Sequence, residues 1–144
     1  ANPEWVKRRC VVDVGPGSGV VAIAAALAGA SRVIACDLDQ DALTATALNA
    51  AENQVDIELS QDLNSALAAA DLVTAADILY DRENLPLLAR FQQVNRVLLA
   101  DSRVPDLDPP GYQLLGQWQS CTWPDLGESS EYNGVRVFAS EPSP

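Results

Sequence analysis

Apolar residues along this chain fall into short unbroken runs, separated by stretches of helical character. Cys10 to Val14 (CVVDV) is a five-residue run, β-branched and closed by Gly15, the pattern of a strand buried on both faces. Gly19 to Ala28 reads as a helix, with Gly29 as its stop. Arg32 to Asp37 (RVIACD) gives a second strand. Asp39 is placed to cap the next helix, with Asp41 favourable in its first turn, and the helix runs through the alanines and leucines up to Asn53. Asp56 to Ser60 (DIELS) is a third, partly polar strand, and Asp71 to Ala76 (DLVTAA) a fourth. Asn84 is placed to cap a helix reaching Gln93, with Pro86 tolerated in its first turn, before a fifth strand at Arg96 to Asp101. A loop stiffened by three prolines follows at Val104 to Gly111. The last two runs, YQLLGQW and GVRVFAS, flank a polar loop without helical periodicity, so they predict an antiparallel pair. The alternation gives an α/β fold: a doubly wound, mostly parallel sheet ending in a C-terminal antiparallel hairpin.

Composition narrows the function. The 144 residues suit one domain with a substantial core, and 48% of them are hydrophobic, which excludes a disordered chain. Nine basic against twenty acidic residues give a net charge of -11. That balance repels phosphate backbones and argues against a nucleic-acid partner; it suits a basic partner or a small cofactor. No apolar run reaches membrane-spanning length and no secretory signal pattern opens the chain, so no membrane association is expected. Cys10, Cys36 and Cys121 form an odd, sparse set without metal-type spacing, which predicts reduced thiols, a cytoplasmic setting and no metal. There is no histidine, so the commonest general base is missing. The chain has no initiator Met and reaches its glycine loop almost at once, so an upstream segment is expected to be missing from residues 1–144. The pattern sets no oligomeric state.

The glycines at 15, 17 and 19 select among cofactors. A dinucleotide fingerprint needs a third glycine at position 20, which is Val20; a phosphate-binding Walker loop needs Lys-Ser or Lys-Thr after Gly19, where Val20 and Val21 stand. What is present is D-x-G-x-G-x-G, Asp13 to Gly19, followed by an acid, Asp37, at the end of the second strand. A carboxylate there accepts two hydrogen bonds from a vicinal diol, and glycines let a backbone approach a ligand closely. This constellation resembles motif I and the following acid of the class I, seven-strand S-adenosylmethionine-dependent methyltransferases, whose sheet is Rossmann-like. The resemblance implies S-adenosylmethionine as cofactor, held by Asp13, Gly15, Pro16, Gly17 and Gly19, by Asp37 and Leu38 after the second strand, and by Ala76 at the end of the fourth. It also implies that Asp62, after the third strand, contacts the adenine amino group; by position alone Asp62 is equally a turn residue.

After the fourth strand stands Asp77-Ile78-Leu79-Tyr80, which looks like the D-x-x-Y element of the family-16 lysine methyltransferases. The longer pattern GASRVIACDLD followed by DLVTAADILYDRENL is similar to the lysine methyltransferases of the electron-transfer flavoprotein beta subunit and their bacterial relatives. Ribosomal protein L11 methyltransferases share much of motif I but usually carry an Asn-Pro-type element where this chain has Asp-Ile-Leu-Tyr. The resemblance implies transfer of a methyl group to a protein lysine, with the electron-transfer flavoprotein beta subunit as the preferred substrate. An L11 or small-molecule methyltransferase, or a non-catalytic cofactor-binding module, is the alternative. A lysine nucleophile must be neutral, which at pH 7 costs roughly 4.6 kcal/mol. A carboxylate nearby favours the charged ammonium, so Asp77 is expected to orient the amine rather than to deprotonate it. Tyr80 is expected to line the lysine channel, or to be an ordinary half-buried aromatic. Asp101-Ser102-Arg103 reads as a strand-ending turn, with substrate contact from the same sheet edge as the alternative, and Trp118 and Trp123 as residues covering the core side of the hairpin, with a protein-docking face as the alternative.

Overall fold

A computed structural model of the chain describes residues 3–121, 127 and 129–140. The strands are β1 (Cys10–Val14), β2 (Arg32–Cys36), β3 (Glu58–Ser60), β4 (Leu72–Ala76), β5 (Val97–Asp101), β6 (Gln113–Gln119) and β7 (Gly134–Ser140). The helices are α1 (Val20–Leu27), α2 (Gln40–Glu52), α3 (Leu63–Ala69) and α4 (Leu85–Phe91). One seven-stranded sheet has the order β3-β2-β1-β4-β5-β7-β6. The first five strands run parallel, and β7 lies antiparallel between β5 and β6. The expected antiparallel pair is therefore present. Its second strand is internal to the sheet, and β6 is the edge.

Burial explains the runs. Every residue of β1 is buried, because α1 packs on one face of it while α3 and α4 pack on the other. Val11 points to the α1 side with Ala22, Ala25, Val33 and Ala35. Val12 and Val14 point to the opposite side with Ile34, Val73 and Phe91. α3 has no counterpart in the sequence reading: its seven residues bury only Ala66, too little to print a helical stripe. β3 is shorter than expected, three residues from Glu58, as its partly polar run suggests.

Capping follows the expected chemistry with one difference. The Asp39 carboxylate accepts from Asp41 N at the start of α2 (2.9 Å), and Gly29 ends the α1 turn in a left-handed conformation, φ 92°. Asn84 occupies the position before α4 but does not cap it. Its amide donates to the Ile78 carbonyl (2.8 Å), and Asp81 caps the preceding short 3-10 turn through Glu83 N. Pro86 sits near the α4 start, where a missing N–H costs nothing.

The parallel registers bring the carboxyl ends of β1, β2 and β4 level, since Val14 pairs with both Cys36 and Ala75. From β1 the chain winds outward through β2 to β3, then crosses back to β4 on the other side of β1 and continues outward to β5, so the winding reverses between β1 and β4. In such sheets a ligand crevice forms outside the strand ends at that reversal. The α1 face is covered only in part. Over β5, β7 and β6 it carries no α-helix among the described residues, and an apolar groove of 690 Å³ opens there, lined by Trp5, Leu98, Leu115, Trp118 and Val137. Trp118 is 54% exposed, so it does not cover the hairpin core as expected. Trp123 lies outside the described residues.

Candidate active site

Asp13 is the first residue of the glycine motif and is buried, at 2% exposure. Its carboxylate accepts from Thr74 Oγ1 (2.8 Å) on β4 and from Ala22 N (3.0 Å) in the first turn of α1. Gly19, at the α1 N-cap position, has no side chain to satisfy that turn, so Asp13 does so from the preceding strand. Burial pushes its carboxyl up to about 6, against the lowering pull of the Thr74 and Ala22 hydrogen bonds. Asp13 thus fixes the loop from behind and does not face the crevice, where a ligand contact was expected.

The loop itself is a chain of left-handed glycines: Gly15 φ 69°, Gly17 φ 55°, Gly19 φ 84°. A Cβ on Gly15 would meet Ile78 Cγ2 at 2.7 Å, and one on Gly19 would meet Thr46 Cγ2 at 2.9 Å and Thr46 Cα at 3.2 Å. A Cβ on Gly17 would meet nothing within 4 Å. Two of the glycines are therefore required by packing, while the middle one leaves open space above the loop. Pro16 is buried, and its carbonyl accepts from Gly19 N (2.8 Å), closing the turn. From α2, Thr46 Oγ1 donates to the Gly17 carbonyl (3.2 Å) and Asn49 to the Ser18 carbonyl (2.7 Å).

Beside the loop lies a crevice of 360 Å³. Of the residues the resemblance implies for the cofactor, Gly15, Asp37 and Leu38 line it, whereas Pro16, Gly17, Gly19 and Ala76 do not. Asp37 Oδ1 accepts from Asp39 N (3.0 Å), while Asp39 rather than Asp37 serves as the helix cap, which leaves Asp37 Oδ2 without an intramolecular partner among the described bonds. Leu38 is 83% exposed, an apolar side chain standing at the rim. Cys36 also lines the crevice, and burial raises its thiol pKa, with the Asp37 and Asp62 charges adding.

Asp62 is placed differently from the expectation. Its carboxylate accepts from Asn64 N (3.0 Å), Ser65 N (3.2 Å) and the Ser65 hydroxyl, capping α3; these bonds hold it below the usual carboxylate range, the Ser65 hydroxyl foremost. The crevice wall is formed instead by its neighbours Gln61 and Leu63, with Leu87 and Arg90 from α4. Gln61 Nε2 donates to the Leu38 carbonyl (3.1 Å). No periodicity marked these residues; only their place after a strand end could have.

The segment after β4 divides the site. Ala76 ends the strand half-buried, and Asp77 N donates to the Ala100 carbonyl (2.9 Å). Ile78 faces the crevice, whereas Asp77, Leu79 and Tyr80 line a second cavity of 710 Å³ with Arg82, Arg103 and Tyr132. Tyr80 is 73% exposed, which excludes the half-buried alternative and leaves the phenol at the cavity mouth. Arg103 stacks over the Tyr132 ring, 4.5 Å from its centroid. Asp77 has φ 50°, rare for a residue with a side chain, and its carboxylate is held by Ser102. Among the described residues no group of His, Cys, Asp and Glu is arranged to hold a metal.

The residues fit S-adenosylmethionine. An open glycine turn suits a backbone approach, an acid with a free oxygen stands one strand away, and apolar Leu38, Leu63 and Ile78 supply faces for a flat base. Residues 4–92 match the family described as ribosomal protein L11 methyltransferase (PrmA). The chain is 36% identical over 148 aligned positions to the electron transfer flavoprotein beta subunit lysine methyltransferase of Rattus norvegicus, covering 96% of this chain and 58% of that protein. It is 34% identical over 120 positions to the ribosomal protein L11 methyltransferase of Aeromonas hydrophila, covering 76% of this chain and 39% of that protein. A crystal structure of ribosomal protein L11 methylase from Lactobacillus delbrueckii subsp. bulgaricus superposes with a TM-score of 0.67 at 26% identity, over 96% of this chain and 72% of that one. The chain thus spans less than two thirds of the length of these curated relatives.

Proposed function

The chain belongs to the ribosomal protein L11 methyltransferase (PrmA) family, and from that premise we propose that it is the catalytic domain of an S-adenosylmethionine-dependent enzyme that methylates a protein lysine. The observation that carries this reading is the division of the strand ends by residues 77–80, with a nucleoside-sized crevice on one side and a charged, aromatic cavity on the other. Bound in the crevice, S-adenosylmethionine supplies a methyl group activated by a sulfonium. The chain's own residues position and select. Asp37 Oδ2 is available to the ribose hydroxyls, and the backbone of Gly15 to Gly17 to the methionine part. Tyr80 and Tyr132 give an entering lysine stem apolar walls, and Asp77 offers an acceptor for the amine. Asp77 orients rather than deprotonates, because its charge favours the ammonium form.

Two protein substrates follow from the relatives' names: the electron-transfer flavoprotein beta subunit and ribosomal protein L11. The Asp77-Ile78-Leu79-Tyr80 element favours the first. A net charge of -11 suits a basic segment around the target lysine. Cys10, Cys36 and Cys121 are all free, in keeping with a reducing, cytoplasmic setting, and among the described residues no helix is long and apolar enough to cross a membrane. The test has two stages. Calorimetry with S-adenosylmethionine should give saturable heat where NAD gives none. Labelled cofactor should then mark a lysine of the purified flavoprotein subunit, located by mass spectrometry. Binding of NAD instead would refute the cofactor, and labelling of L11 alone would move the substrate to the second name.

A further inference from the structure

By its pattern, Asp101-Ser102-Arg103 is an ordinary turn. In three dimensions it is the partner of the residue placed nearest the chemistry. The left-handed backbone of Asp77 sends its side chain across to the end of β5. There Asp77 Oδ1 accepts twice from one residue, from Ser102 N at 2.6 Å and from Ser102 Oγ at 3.0 Å. The same hydroxyl lies 3.1 Å from Asp77 Oδ2. A hydroxyl has one hydrogen to share between the two oxygens, so Ser102 N and Oγ together fix the rotation of the carboxylate and leave it acceptor capacity to spare.

Ser102 is itself held in place. Asp101 is fully buried, and its Oδ1 accepts from Val104 N (2.8 Å) and Arg103 N (3.2 Å). From β7, the Arg136 guanidinium donates to the Val104 carbonyl and stands 3.8 Å from the same Asp101 oxygen. The turn is therefore clamped at both backbone groups of Val104, the N–H by Asp101 of β5 and the carbonyl by Arg136 of β7.

We propose that Ser102 is a positioning residue for methyl transfer: from a turn clamped by Asp101 and Arg136, it fixes the rotation of the Asp77 carboxylate so that one oxygen faces the incoming amine. This rests on the lysine-methyltransferase reading above. The alternative is that Ser102 only ties the ends of β4 and β5 together, and the two differ in what substitution changes. The experiment compares the full-length wild type with Ser102→Ala and Ser102→Thr. It measures S-adenosylmethionine affinity by calorimetry, the melting temperature, and kcat and KM on the flavoprotein beta subunit or on L11, whichever the wild type labels. Ser102→Ala keeps the backbone donor, so kcat should fall roughly tenfold rather than vanish, the loss expected when one hydrogen bond to a charged, orienting group is removed. Cofactor affinity should be unchanged, and Ser102→Thr, which keeps the hydroxyl, should recover most of the rate. Equal rates in wild type and Ser102→Ala would overturn the proposal, as would a loss shared by both variants or one that tracks the melting temperature. A wild type that binds cofactor but labels neither protein would overturn the reading beneath it.

Discussion

Three residues of the glycine motif carry different physical duties, and substitution separates them. Gly17→Val places a branched side chain at φ 55° in open space, so it should strip S-adenosylmethionine binding, read by calorimetry, at a folding cost of about 1–2 kcal/mol for the left-handed backbone. Gly19→Ala drives a methyl to within 2.9 Å of Thr46 Cγ2 and 3.2 Å of its backbone, so its larger effect should be on the melting temperature. Intact affinity in Gly17→Val would show that the loop is not the cofactor seat. Asp13 makes a pH prediction. Burial raises its folded pKa from 3.8 to about 6, so the folded chain holds this proton at a pH where the unfolded chain has lost it. The stability it confers is complete below pH 3.8 and is lost as pH rises through about 6, a change of about 3 kcal/mol. Asp13→Asn keeps an acceptor for Ala22 N and cannot titrate. The wild type should therefore lose stability relative to Asp13→Asn between those limits in urea unfolding, and a constant difference would place the Asp13 pKa at its ordinary value. The acid at position 13 was legible from sequence, but its duty was not, because spacing cannot tell a carboxylate aimed at a ligand from one aimed at the next helix.

At the scale of elements, what could be read was what burial writes in runs. β1, β2 and β4 are internal strands covered on both faces, and each stands out as a largely apolar run; β5 is internal too, and its run is still apolar although Leu98 and Ala100 are only half-buried. α3 could not be read because one buried alanine leaves no stripe, and with it went Gln61 and Leu63, the crevice wall that its start positions. α4 is equally short but anchored by Phe91, fully buried, and by Leu88. A seven-residue helix has little stability of its own and depends on such an anchor. Phe91→Ala should cost about 3–5 kcal/mol in urea unfolding. Because Leu87 and Arg90 line the crevice from the same helix, it should also weaken cofactor binding. A cost near zero would mean that α4 is held by its loops and not by its core face. The position of β7 was legible only in part. Antiparallel pairing follows from the absence of a helix between two runs, but insertion beside β5 depends on Arg136 and Phe138 meeting Asp101 and Leu99, which is a tertiary match.

Across the whole molecule, the site is an arrangement of edges: β1 supplies the loop, β2 the acid, β4 the dividing segment, and β5 with β7 the turn that steadies it. The uncovered apolar groove over β5, β7 and β6 lies on the α1 face of the sheet and takes no part in this division. In the function proposed above, binding and transfer fall to different strand ends, which makes them separable. Asp77 is the residue on which to separate them, and the choice of substitution matters. At φ 50° an alanine would add backbone strain, whereas asparagine tolerates the left-handed region and retains one oxygen for Ser102 N. Asp77→Asn removes the charge and replaces one acceptor by a donor, while leaving Gly17, Asp37 and Leu38 untouched. Methyl transfer to a protein lysine should therefore fall ~100-fold, the scale of loss that follows from misplacing a reacting pair, with S-adenosylmethionine affinity unchanged. If both fall together, Asp77 belongs to the crevice rather than to the second cavity. If neither falls, the amine is oriented by Tyr80 and Tyr132 alone, and the carboxylate serves only to join two strand ends.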